Sequence, residues 1–71
     1  MSVYKIIELV GTSEVSWEDA AMKAVNTASK TLRELRIAEI TKLDLKIEEG
    51  KPVAYRVRVN VSFKYEGGGG A

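Results

Sequence analysis

The alternation of apolar and polar residues divides the chain into three strands and one helix. Val3–Val10 is rich in β-branched and aromatic residues and precedes Gly11–Ser13, which is typical of a strand followed by a turn. Apolar residues then recur at spacings of three and four across Trp17–Leu35, which predicts one long amphipathic helix. Ser16 is the predicted N-cap, because its hydroxyl can accept a hydrogen bond from the Asp19 amide.

The C-terminal half has the pattern of a hairpin of two long strands. Ile37–Glu48 and Val53–Tyr65 are the predicted strands, and Glu49–Lys51 is a three-residue connection that contains a glycine. This loop length fixes the register, since a slip by one residue would set apolar against polar side chains. The predicted cross-strand pairs are Leu43–Val57, Leu45–Tyr55, Ile47–Val53 and Asp44–Arg56. The apolar face of the second strand is predicted to carry Ile37, Thr41, Leu43, Leu45 and Ile47.

The resulting order is β-α-β-β, which predicts an α+β domain with one long helix on a three-stranded antiparallel sheet. Residues 1–66 form this domain, and residues 67–71, with the sequence GGGGA, are a flexible Gly-rich tail. A chain of 71 residues without Cys or His has neither disulfides nor an ordinary zinc site to support a small core. The strands also extend past a single helix. Part of the apolar face is therefore expected to meet another subunit.

Composition excludes several classes of function. Without His or Cys, the usual general base and thiol nucleophile are absent, so catalysis is not expected. Eleven basic and ten acidic residues give a net charge of +1 without a block of like charges, which argues against nucleic-acid and membrane-surface partners. Basic and aromatic residues of the last strand also alternate onto opposite faces. No apolar run is long enough to span a bilayer, and no secretory signal is recognisable, so a cytoplasmic protein is expected.

Four features are candidates for ligand binding, and each has a structural alternative. Trp17 can stack on a ligand or begin the apolar face of the helix. Gly11–Ser13 can hold an anion on backbone amides or form a turn before the helix. Glu8 can ligate calcium, since oxygen ligands are the metal chemistry that this composition allows, or it can be exposed or paired. Asp44 and Arg56 can bind an ionic ligand or form a cross-strand ion pair.

Four segments together resemble the dodecin family over residues 3–66. They are VYKIIELVGTS, SWEDAAMKAVNTASKTLREL, RIAEI and AYRVRVNVSFKYE. None of these segments is specific alone, but their conjunction at this spacing is. The resemblance implies a β-α-β-β protomer that assembles into a hollow shell of twelve subunits with cubic symmetry. It further implies that flavin-binding members hold flavin pairs at subunit interfaces, for storage or protection without turnover.

The chain departs from this family at both positions that contact flavin. Ile37 stands where the family has its stacking Trp, and Arg56 stands where it has the Gln that contacts the isoalloxazine ring. Loss of the aromatic platform and replacement of a neutral amide by a cation both oppose flavin binding. The sequence is more similar to the calcium dodecin subgroup, which implies Ca²⁺ as the ligand. The candidate ligands are Asp44, Glu39 and Glu8, which are carboxylates on strands that can converge at symmetry axes.

Three functions are therefore open at this point. The leading one is a non-enzymatic, dodecameric protein that binds or stores a small ligand, with altered flavin positions and with calcium as the bound ion. The alternatives are a riboflavin- or FMN-binding storage dodecin and a structural shell without a specific ligand. The expected partners are further copies of the chain and a small molecule or ion, without nucleic acid or membrane.

Overall fold

A computed structural model describes residues 2–65, which form one sheet and one helix. The elements are β1 (Tyr4–Ser13), α1 (Trp17–Ala28), β2 (Leu35–Glu48) and β3 (Lys51–Lys64). The sheet order is β1-β3-β2, and both pairs of neighbours are antiparallel. The structure thus confirms the predicted β-α-β-β order and α+β class. The predicted tail at 67–71 lies outside the described residues.

The core lies between α1 and the middle of β3. Ala20 and Ala24 of the helix pack against Val57, Val59 and Val61, and all five residues are buried. Since alanine side chains are small, the helix axis can come close to the sheet. Ile7 and Leu9 of β1 complete the core from the neighbouring strand. The helix therefore covers β1 and β3 and reaches little of β2.

The helix is shorter than predicted, because it ends at Ala28 and does not continue to Leu35. Beyond the helix end, the Ser29 hydroxyl donates to the Asn26 carbonyl at 2.8 Å, and the Thr31 hydroxyl donates to the Ala28 carbonyl. Such side-chain bonds to the backbone compete with helix propagation. Leu35 still contacts the core, but from the start of β2. Its spacing in the sequence therefore mimics a helical position.

The first strand is longer than predicted, because Gly11–Ser13 is not a turn. Gly11 pairs with Val57 and Ser13 pairs with Tyr55, so β1 continues to Ser13. The glycine serves a different purpose here. A Cβ at Gly11 would collide with the carbonyl oxygen of Ala20, so this position must be small for the helix to approach. The predicted N-cap is confirmed, since the Ser16 hydroxyl accepts from the Asp19 amide.

The hairpin between β2 and β3 has a two-residue loop, one residue shorter than predicted. Glu48 pairs with Lys51, which leaves Glu49 and Gly50 in the loop. Both have positive φ, at 52° and 77°. Two positive values are the signature of a type I′ turn, whose twist matches that of the strands.

The predicted register holds in the middle of the hairpin and fails near its tip. Leu43–Val57, Asp44–Arg56 and Leu45–Tyr55 pair as predicted. The predicted Ile47–Val53 pair is wrong. Ile47 pairs with Pro52, because the shorter loop is accommodated by a bulge between the Lys46 and Ile47 pairings.

The predicted apolar face of β2 is also wrong in part. Register shifts between Leu35 and Ile37 and between Ile40 and Lys42 interrupt the alternation of this strand. Ile37 consequently lies on the side of the sheet away from α1. The residues of β2 that face the helix side are Ala38, Ile40, Leu43 and Leu45. Each of them pairs with a buried or partly buried residue of β3.

The length of the hairpin exceeds what the helix can cover. Fourteen residues of β2 span about 46 Å at roughly 3.3 Å per residue, and the twelve residues of α1 span about 18 Å. Ile40, Leu43 and Leu45 are therefore exposed although they lie on the helix side. This agrees with the expectation that apolar surface is left for another subunit. No helix in residues 2–65 is long and apolar enough to cross a membrane.

Candidate functional site

The side of the sheet opposite α1 carries every candidate ligand position of the strands, and we call it the outer face. Strand pairing arranges its residues in rows that cross the sheet from β1 through β3 to β2. Four successive rows are Ile6–Ser62–Ile37, Glu8–Asn60–Glu39, Val10–Arg58–Lys42 and Thr12–Arg56–Asp44. Neighbouring rows are about 7 Å apart, two residues along a strand.

Asp44 and Arg56 form a bidentate ion pair on this face. Arg56 Nε donates to Asp44 Oδ1 at 2.8 Å, and Nη2 donates to Oδ2 at 3.0 Å. These hydrogen bonds lower the pKa of the Asp44 carboxyl, with further help from the charges of Arg58 and Lys42. The same contact raises the pKa of the Arg56 guanidinium. Both groups are thus charged at neutral pH, and the ion-pair interpretation of these residues is confirmed.

Trp17 has a packing role that links the start of the helix to the hairpin. Its ring lies edge-on to Tyr55, with centroids 5.0 Å apart and planes at 75°. Its Nε1 donates to the backbone carbonyl of Asp44 at 3.0 Å. The indole therefore supports the backbone of β2 directly behind the Asp44–Arg56 pair.

The segment before the helix satisfies its own polar groups. The Ser13 hydroxyl donates to Asp19 Oδ2 at 2.6 Å and accepts from the Val15 amide at 2.9 Å. Lys23 Nζ lies 3.1 Å from the same carboxyl oxygen of Asp19. The Ser13 hydrogen bond, followed by the contact with Lys23, lowers the pKa of Asp19. This arrangement favours a structural role of the segment over an anion site, but as the end of β1 and not as the predicted turn.

The two positions that correspond to flavin contacts are far apart within one chain. Ile37 is exposed and lines a surface cavity of about 320 Å³ with Tyr4, Arg36 and Ser62. Ile37 pairs with Ser62, which is six residues from Arg56 along β3, or about 20 Å. Within one chain, these two positions therefore do not form a single compact site.

The three candidate calcium ligands are only partly brought together. Glu8 and Glu39 lie in one row, on either side of Asn60. Asp44 lies two rows away and is held by Arg56. Within residues 2–65, no three acidic side chains are close enough to form a metal site in one chain.

Two features of the surface were missed by the sequence analysis. Lys42 lies directly opposite Arg58, and the hairpin register that gave the Asp44–Arg56 pair already contained this pair. The second feature is a largely apolar groove of about 510 Å³ between β1 and α1, bordered by Ile7, Leu9 and Leu32. Its existence depends on where the helix ends, which the sequence pattern placed incorrectly.

Comparisons with known proteins agree with this architecture. The family model for dodecin matches residues 3–66. Calcium dodecin from Mycobacterium tuberculosis is 41% identical over 64 residues, which are 90% of this chain and 90% of that protein. Dodecin from Thermus thermophilus is 42% identical over 64 residues, which are 90% of this chain and 93% of that protein.

The similarity extends to three-dimensional structure. A crystal structure of calcium dodecin from Mycobacterium tuberculosis, a calcium-chelating antigen with a novel calcium-binding site, matches with a TM-score of 0.83. The match covers 99% of this chain and 100% of that chain at 36% identity. Sequence, strand order and overall structure lead to the same conclusion: the chain belongs to the dodecin family.

Proposed function

We propose that the chain assembles with copies of itself into a shell, twelve subunits by family resemblance, that binds Ca²⁺ in place of flavin and catalyses no reaction. The observation that carries the proposal is the Asp44–Arg56 ion pair. At the position of the flavin-contacting amide, this chain presents a cation whose hydrogen bonds are directed at a carboxylate. A flavin ring would have to replace those charge-assisted bonds with weaker ones.

Assembly is supported by the apolar surface that the chain leaves uncovered. Ile40, Leu43 and Leu45 are exposed on the helix side of β2, where α1 covers them only in part. Small domains without disulfides or a structural metal commonly gain stability from oligomerisation. A dodecamer would have a mass of about 94 kDa, twelve times the 7.8 kDa of one chain.

Calcium is supported by the relative at 41% identity and by the oxygen donors of the outer face. Ca²⁺ takes about six to eight oxygen ligands, including carboxylates and amide oxygens. Glu8, Glu39 and Asp44 are the proposed sources, and Asn60 lies between the first two. Since one chain does not gather them, the proposed site includes residues from more than one subunit. The cytoplasmic location expected from the sequence stays a prediction.

The test is a calorimetric titration of the assembled protein with Ca²⁺, with Mg²⁺ as the control ion. We expect saturable heat with Ca²⁺ and a rise in melting temperature, because an ion that binds only the folded state stabilises it. Glu8→Gln, Glu39→Gln and Asp44→Asn, made one at a time, identify which carboxylate contributes. Glu18→Gln, an equal change on the exposed side of α1, is the matched control. Absence of any calcium effect would contradict the proposal.

A parallel titration with riboflavin separates the alternatives. We expect no quenching of flavin fluorescence by the unmodified protein. Ile37→Trp combined with Arg56→Gln restores the family residues and should recover binding. Tight binding of riboflavin without these changes would instead support a flavin storage protein, and binding of neither ligand would support a structural shell.

A further inference from the structure

The charges of the outer face are segregated into two neighbouring rows. Glu8 and Glu39 flank Asn60 in one row, which carries two negative charges. Arg58 and Lys42 lie opposite each other in the next row, which carries two positive charges. Like charges directly opposite on a sheet destabilise it. The Arg58–Lys42 pair is therefore unfavourable unless acidic side chains lie close to it.

None of these four side chains forms a close ion pair in the described part of the chain, although Arg58 and Lys42 attract Asp44 at longer range. In the described part of the chain, ion pairs within 4.0 Å join Lys23 to Asp19, Arg36 to Glu34, Lys46 to Glu48 and Arg56 to Asp44. Glu8, Glu39, Lys42 and Arg58 take part in none of these pairs, and all four are exposed. Two adjacent rows of opposite charge are thus available to a partner.

The same two rows are complementary to a second copy of the face. When two outer faces meet about a two-fold axis that runs across the strands and between the two rows, each acidic row lies on the basic row of the other copy. Lys42 of one copy then faces Glu39 of the other, and Arg58 faces Asn60 between the two carboxylates. A two-fold contact makes every such pair twice.

We infer that the outer face is an interface between two copies of this chain, in which the row Arg58–Lys42 of each copy binds the row Glu8–Glu39 of the other. The inference rests on the assembly in the proposed function and names one of its contacts. Val10, in the basic row, then faces Glu8 of the other copy, and the exposed Ile6 and Ile37 in the row beyond the acidic one add apolar area to the contact. Charge complementarity of this kind fixes the register of two surfaces.

The interface assigns Glu8 and Glu39 a role that competes with calcium binding. A carboxylate that pairs with a lysine of a second copy has fewer oxygens available for an ion. The third proposed calcium ligand, Asp44, already accepts two hydrogen bonds from Arg56 of its own chain, which calcium would have to replace. The two roles therefore predict different consequences for the same substitutions.

The experiment uses two variants that reverse one row each. Variant A carries Lys42→Glu and Arg58→Glu, and variant B carries Glu8→Lys and Glu39→Lys. In A both rows are negative, and in B both are positive, so neither variant can pair with itself. Each is expected to give a smaller assembly than the unmodified protein, measured by native mass spectrometry and sedimentation in the presence of a calcium chelator. Co-expressed A and B are expected to recover the full mass, because every negative row then meets a positive one.

The matched control reverses two cations away from the outer face. Lys30→Glu with Arg33→Glu makes the same change in net charge as variant A, on exposed residues after α1, and should keep the full mass. Should A or B fail to fold by circular dichroism, the variant with all four substitutions restores complementarity. It is expected to assemble by itself.

The outcomes that overturn the inference differ from those that overturn the assembly. If the unmodified protein is monomeric at every concentration, both the proposed assembly and the proposed interface are ruled out. If the unmodified protein assembles and variants A and B keep its mass, the proposed interface alone is ruled out. The interface is also ruled out if A and B have a lower mass that co-expression does not restore. Loss of calcium binding in B at unchanged mass would assign the two carboxylates to the ion instead.

Discussion

Two adjacent strands of the same sheet differ sharply in how the chain uses them. Val57, Val59 and Val61 of β3 are 1%, 0% and 1% exposed on the helix side. Their neighbours on the same side of β2, Ile40 and Leu43, are 47% and 54% exposed. Both strands have similar apolar residues at these positions. The difference arises because α1 lies over β1 and β3 and contacts β2 only at a few residues, Trp17 among them.

This comparison separates residues that stabilise the single chain from residues whose burial requires a partner. Complete burial of a large aliphatic side chain contributes about 1.5–3 kcal/mol. The valines of β3 make this contribution when the chain folds, because the helix alanines cover them. Ile40, Leu43 and Leu45 can make most of theirs only when a second chain covers β2. The predictions below test this division.

The largest effect is expected on the helix-covered side, at Gly11. Gly11→Val would place a Cβ against the carbonyl oxygen of Ala20 and 3.0 Å from the Ala24 Cβ, so the helix must move away from the sheet. Overpacking of this kind costs about 1–3 kcal/mol or more. We expect a variant that is unfolded or melts far below the unmodified protein in circular dichroism. Gly50→Asn is the control, because its added Cβ meets nothing within 4 Å and Asn tolerates the positive φ of this turn. Equal losses in both variants would contradict the close approach at Gly11.

The next effect is expected on the uncovered side, at Leu43. Leu43→Lys places a charge where a second chain would bury an apolar side chain, at a position that is 54% exposed in the single chain. We expect the mass in solution to fall and the melting temperature to lose its dependence on protein concentration. Met22→Lys, at an exposed apolar position of α1, is the matched control and should change neither quantity. An unchanged mass for the Leu43 variant would show that β2 is not covered by another chain.

Sequence pattern predicted the fold where neighbouring residues decide it. The Ser16 N-cap and the Leu43–Val57 pair depend on local spacing, and both were correct. The helix end and the role of Gly11 depend on how close the helix comes to the sheet, which periodicity does not encode. Leu35 satisfied the helical spacing and yet belongs to β2. Tertiary packing overrides the local pattern at these places.

The candidate site was predictable to the extent that it follows strand register. The Asp44–Arg56 pair came from the hairpin alone and is confirmed. The alignment of Glu8 and Glu39 on Asn60 could not be predicted, because it requires the pairing of β1 with β3 and the bulge in β2 before Lys42. In the proposed assembly, the positions of Ile37 and Arg56 relative to a ligand would depend on contacts between chains, which a single sequence pattern does not specify.

A smaller effect is expected at Trp17, which joins the covered and uncovered regions. Trp17→Phe keeps an aromatic ring beside Tyr55 but removes the hydrogen bond from Nε1 to the Asp44 carbonyl. The net loss for one such bond is about 1 kcal/mol, measured by thermal or chemical denaturation followed by circular dichroism. Tyr65→Phe is the control, because Tyr65 lies outside the core and its ring is retained. A loss several times larger would mean that the indole fills space that phenylalanine cannot.

The smallest effect is expected at the Asp44–Arg56 ion pair, because both side chains are partly exposed to solvent. The hydrogen bonds from Arg56 lower the pKa of Asp44 below its usual value of 3.8, so the folded state favours the charged carboxylate. A lowered pKa gives stability that is present above the unfolded-state pKa and is lost as the pH falls through the folded-state pKa.

The melting temperature of the unmodified protein should therefore exceed that of Asp44→Asn at neutral pH, by a small margin that vanishes as the pH falls below about 4. The pKa of Asp19 is also lowered, by the hydrogen bonds with Ser13 and Lys23, but Asp19 is present in both proteins and cancels from the difference. A double-mutant cycle with Asp44→Ala and Arg56→Ala completes the test, since residues in direct contact give a combined loss smaller than the sum of the single losses. Additive losses, or a margin that does not change with pH, would show that the ion pair does not stabilise the folded chain.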